Sequence, residues 1–117
     1  MSIENSYYSI VGYDLTGCKT DKFDDWRWTD KGEEYTCYQR KDKIQFFYDP
    51  MNCSHLYFGY IFGCGDQYKM NTAKVDFENI TDKVHLVNDE LRKLQELDII
   101  KKDISEKCQF IMFEECY

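Results

Sequence analysis

Six cysteines and two histidines are the side chains of this 117-residue sequence with the widest chemical reach. The run Cys53-Ser54-His55 followed by Cys64 offers three ligands of the kind zinc takes, Cys53, His55 and Cys64, with Cys37 a fourth. Structural zinc sites hold their ligands in pairs two to four residues apart, and no Cys-x-x-Cys occurs here. Gly63 and Gly65 flank Cys64, a setting that suits a tight turn without a metal. Catalysis by a thiol would need Cys64 or another cysteine beside His55 or His85, within hydrogen-bond reach. The helical pattern described below sets His85 beside an apolar stripe, so a partly buried, structural imidazole is expected. The adjacent acids Asp24-Asp25, Glu33-Glu34, Asp89-Glu90 and Glu114-Glu115 are doublets that an acidic chain carries by chance; acid/base work needs two carboxylates in unlike environments. Gly63-Cys64-Gly65 has neither the length nor the lysine of a phosphate loop. The reading is of a non-enzyme with no catalytic residue, metal or cofactor.

Binding is a different matter. Between Phe23 and Tyr35 the chain sets Trp26, Trp28 and Tyr35 among Asp24, Asp25, Asp30, Glu33 and Glu34, and it holds both tryptophans of the protein. Trp and Tyr dominate interface hot spots, and an acidic surround steers toward a basic partner. In an extended conformation Trp26 and Trp28 would share one face. The competing reading buries both indoles and leaves the acids as a solvated rim.

Charge limits the partner. With 22 acidic against 15 basic residues the net charge is −7, so the basic footprint that direct nucleic-acid binding needs is missing. An acidic domain can instead meet a protein surface that is itself basic. Charge is thin through the middle of the chain, with one acid and two bases between residues 51 and 75, which marks that stretch as core. The start of the sequence shows no basic, apolar pattern of an export signal, and no run reaches membrane-spanning length. A cytoplasmic location with reduced thiols, no membrane partner and a single domain over residues 1–117 are therefore expected.

The elements that must position these residues follow from periodicity. Residues 7–15 read as a strand. Residues 34–39 and 43–48 read as two more, joined by a hairpin loop at 40–42. The strand from His55 to Phe62 is apolar on both faces, as a central or covered strand is, with Gly63 to Asp66 ending it. A short edge strand is expected around 74–77 and a buried last strand at 107–113. Ile80, Val84, Val87, Leu91 and Leu94 form one helical stripe, predicting a helix over about 80–97 with Asn79 as N-cap and an Asp89–Lys93 pair on its wet side. The fold class is α+β: about five mostly antiparallel strands with one long helix in the C-terminal half packed on one face.

One Ala, one Pro and three Arg stand against twelve Lys, nine Ile and ten Tyr, a bias toward AT-rich codons that suits a low-GC bacterium or its phage. In composition the chain is similar to the small acidic inhibitors that phages encode, some of which occupy nucleic-acid sites on host proteins. That likeness rests on no particular residue. It implies docking on a basic, nucleic-acid-type site of a host protein in the host cytoplasm. Two alternatives stand beside it: a small enzyme or ligand-binding domain using Cys64, His55 or His85, and a homo-oligomer paired through a strand edge.

Overall fold

Aromatic and β-branched residues dominate the four segments that pair into one sheet. A computed structural model describes residues 5–36, 43–48, 55–66, 74 and 76–116. In chain order these hold β1 (Asn5–Asp14), α1 (Phe23–Trp26), α2 (Asp30–Thr36), β2 (Ile44–Tyr48), β3 (Leu56–Asp66), α3 (Phe77–Glu96) and β4 (Gln109–Cys116). The sheet has four strands in the order β2-β3-β1-β4, and every neighbouring pair is antiparallel. The architecture is the expected α+β, with four strands where about five were expected.

Three expected strands change. Glu34, Tyr35 and Thr36 lie in α2, not in a strand, so among the described residues 43–48 has no hairpin partner before it; residues 37–42 lie outside the described set. Thr29 stops the extended reading: its hydroxyl accepts from the Gly32 N–H at 3.1 Å and caps α2. Near residue 76 the chain is not an edge strand either. Asp76 is the N-cap of α3, its carboxylate accepting from the Asn79 N–H at 2.7 Å, so the helix starts three residues before the predicted residue 80. At the far end of β3, Gly63 to Asp66 do not end the strand but continue it opposite Ser9 to Ser6 of β1. The register slips between Ser9 and Ile10, leaving Phe62 as the extra residue of a bulge.

One face of the sheet carries the main core. Val11, Phe46, Phe58, Tyr60 and Phe62 meet Phe23 of α1 and Val87, Leu91 and Leu94 of α3. At about 25 cal/mol per Å² each fully buried Leu or Phe side chain contributes roughly 2 kcal/mol, so the predicted apolar stripe is what holds α3 on the sheet. On the opposite face Tyr8, Ile10, Phe47 and Ile61 form a second buried cluster, and β3 contributes to both as a central strand must. Tyr13 of β1 donates to Asn88 of α3 at 2.5 Å. On the wet side, Asp89 pairs with Arg92 and Lys93 with Glu90, both at i,i+3, instead of the predicted Asp89–Lys93 pair. His85 is exposed, not half-buried, because it falls outside the Val84–Val87–Leu91 stripe.

The end of α3 is built as a Schellman turn. Ile99 N–H reaches the Leu94 carbonyl at 3.0 Å, Asp98 N–H reaches that of Gln95 at 3.1 Å, and Asp98 takes φ 63°. Thr20 N–H then bonds the Ile99 carbonyl and Lys101 N–H that of Cys18, tying the approach to α1 to the exit from α3. The last strand is not buried: β4 is an edge, with Phe110 and Met112 exposed. Among the described residues no helix is long and apolar enough to cross a membrane.

Candidate functional site

Phe23 fixes the site to the core. Fully buried, it meets Phe46 and Tyr48 of β2 edge-on, at centroid distances of 5.3 and 5.8 Å. Trp26 follows one helical turn later and leans inward on Phe23, Tyr35 and Phe46, at 5.9, 5.7 and 6.0 Å. The chain then bends at Thr29, whose hydroxyl also donates to the Trp26 carbonyl, and α2 folds back on α1. Only glycine fits at residue 32, because a Cβ there would lie 2.0 Å from the Trp26 carbonyl oxygen.

This packing separates the two tryptophans. Two residues on a helical turn differ by about 200°, so Trp28 faces away from Trp26 and is 69% exposed. The shared face expected of an extended segment is therefore not formed. Arg27 lies over the Trp28 ring at 4.9 Å and the Tyr48 ring at 5.4 Å, a cation bridging the exposed indole to the sheet. Its Nε is buried with no hydrogen-bond partner among the described residues, so ring contacts hold it. Arg27 was not among the expected site residues, although an arginine between two tryptophans is the signal that marks it.

The acids divide cleanly from the inward rings. Asp24, Asp25, Asp30, Glu33 and Glu34 are all exposed, and Asp24 lies 3.8 Å from Lys19 Nζ. Tyr35 turns the other way. Its hydroxyl donates to Glu90 of α3 at 2.6 Å, and Lys93 meets the other oxygen of that carboxylate at 3.2 Å. Burial first, then the bond and charge of Glu90, raise the Tyr35 phenol far above its ordinary value. Of the eight residues predicted, Trp28, in the turn between α1 and α2, and the five acids on those helices are exposed. Trp26 and Tyr35 anchor the segment from beneath. No significant match links the chain to any family model, curated protein or solved structure.

The cysteine and histidine groups are dispersed. His55 adjoins the start of β3 and Cys64 lies near its end, roughly 25 Å along an extended strand. That separation rules out a shared zinc ion or a thiol–imidazole pair between them. His55 borders a cavity of about 30 Å³ beside Phe23 and Leu56, room for a water or two. A larger polar cleft, about 320 Å³, runs along α3 past Tyr13, Asn88, Arg92, Lys102 and Glu106, and no cysteine or histidine lines it. Burial raises the thiols of Cys18 and Cys108, the opposite of what an activated nucleophile needs. Cys37 and Cys53 lie outside the described residues.

Proposed function

We propose that the protein is a non-enzymatic binding module that docks the acidic outer surface of α1 and α2 on a basic site of a partner protein. The observation that carries this reading is Trp28, 69% exposed and backed by Arg27, in a segment whose two short helices also carry five exposed acids. An indole left in water is a latent hot spot, since burying it against a partner recovers its apolar area. The acids add long-range attraction, which raises the association rate at low salt. Phe23 and Trp26 hold the scaffold on the sheet, so the surface is preorganised and little is lost in ordering it.

A chain of net charge −7 is repelled by nucleic acid itself, so the fitting partner is a protein whose basic face ordinarily holds DNA or RNA. That is how a phage-encoded inhibitor acting in a host cytoplasm would work, and the AT-rich codon bias is in keeping with it. The test is capture of a partner from a low-GC bacterial lysate, repeated with Trp28→Ala and with added duplex DNA. Retention that Trp28→Ala abolishes and DNA competes away supports the reading. Retention indifferent to both would end it.

A further inference from the structure

β4 is an edge strand whose first five residues, Gln109 to Phe113, carry no charge, so only its far end is blunted by Glu114 and Glu115. It is eight residues long, contains no proline, and keeps an unshifted register with β1 from Asn5↔Cys116 to Gly12↔Gln109. Among the described residues no strand pairs with its outer side. Phe110 and Met112 project on the face that α3 covers elsewhere, opposite Val11 and Ser9, and are 51% and 74% exposed. Phe110 stacks on Phe62 at 6.4 Å, so this strip continues the main core outward past the helix. Chains with such an edge leave it open to another strand.

The sequence of the strand says which strand fits. It is preceded by Lys107 and ends in Glu114 and Glu115, so antiparallel pairing with itself brings unlike ends together. We propose that β4 pairs antiparallel with β4 of a second copy about a two-fold axis at Ile111. Phe110 of each copy then faces Met112 of the other on one side of the sheet, and Lys107 stands opposite Glu115. An axis at Met112 would set Phe110 against Glu114, and one at Phe110 would set Glu106 against Glu114, a like-charge pair. The axis is perpendicular to the sheet, so β2-β3-β1-β4 continues into its mirror order and both copies of α3 cover the same face.

The centre of the interface is apolar, its rim Lys107–Glu115 pairs are exposed and weak, and it joins two chains of net charge −7, so salt strengthens it by screening their repulsion. It also lies at the opposite edge from β2, against which α1 and α2 pack, and Trp28→Ala leaves it unchanged.

Sedimentation equilibrium of the full chain over a concentration series is the test. The expected mass climbs from 14.1 kDa to twice that value, at lower concentration as salt is raised. Met112→Lys, at an exposed position, keeps the native circular dichroism and weakens association at least about tenfold. Phe110→Glu does the same, and an equimolar mixture of the two variants recovers a dimer, because the introduced lysine and glutamate face each other only in this register. A wild-type chain that stays monomeric throughout overturns the proposal. So does a Met112→Lys variant that dimerises like wild type, and a mixture that stays monomeric overturns the register.

Discussion

Replacing Gly32 with alanine separates a packed α1–α2 unit from two loosely tethered helical turns, because the two arrangements give opposite signs. In an open helix Gly→Ala stabilises by about 1 kcal/mol through propensity. Here the added Cβ would meet Trp26 O at 2.0 Å, Arg27 Cα at 2.7 Å and Trp26 C at 2.8 Å, all backbone atoms that no rotamer change can move aside. Relief needs α2 to shift by more than 1 Å from α1, loosening Trp26 against Tyr35. Such overpacking costs roughly 1–3 kcal/mol, with the upper half of that range expected for a clash with backbone. After the propensity gain the net loss is about 1–2 kcal/mol. With a urea slope of roughly 1.5 kcal/mol/M for a domain of this size, the midpoint falls by about 1 M. Urea unfolding followed by tryptophan fluorescence and circular dichroism reads the shift. A midpoint that rises would refute the close approach of α1 and α2, and with it the scaffold that presents Trp28.

Three further outcomes follow from the same contacts. Asp98→Gly removes a left-handed, non-glycine residue from the Schellman turn and should raise stability by roughly 1 kcal/mol, less a few tenths for the exposed Lys22–Asp98 pair; a loss of stability in thermal unfolding would show that the Asp98 side chain matters more than its backbone. Trp26→Ala should cost roughly 2–3 kcal/mol and Trp28→Ala less than about 0.5, a contrast that urea unfolding measures and equal costs would refute. The Tyr35 phenol titrates well above its ordinary value of 10.0 in the folded chain, so its contribution is intact below that pH and is lost as pH rises beyond it. The stability advantage of wild type over Tyr35→Phe should accordingly hold steady below pH 10.0 and shrink as pH rises beyond it, and a constant difference would place Tyr35 in water.

Strong periodicity made most of the framework legible. The two-sided apolar pattern of Leu56 to Phe62 marked a central strand, and the 80–94 stripe marked the helix that covers it. The failures have local causes. Tyr35 and Thr36 favour strands by propensity, but Thr29 caps a helix there and Gly32 lets it close on Trp26. Glycines at 63 and 65 signal a break, yet pairing with β1 and the bulge at Phe62 carry β3 onward to Asp66. Periodicity also cannot tell an edge from a centre, which is why β4 read as buried. In the candidate site the residue types were legible and the conformation was not. The spacing of Trp26 and Trp28 has opposite meanings in a strand and in a helical turn, and that difference turned a paired aromatic face into one anchor and one exposed ring.

The central claim is that the Trp28 surface meets a basic protein site. It is tested most directly by the affinity of a captured, purified partner for the wild-type chain and for Trp28→Ala, each titrated across a salt series. The account predicts that wild-type affinity falls steeply as salt rises and that Trp28→Ala weakens binding by about tenfold or more at every salt concentration. Affinity independent of salt, or equal for the two chains, would contradict it.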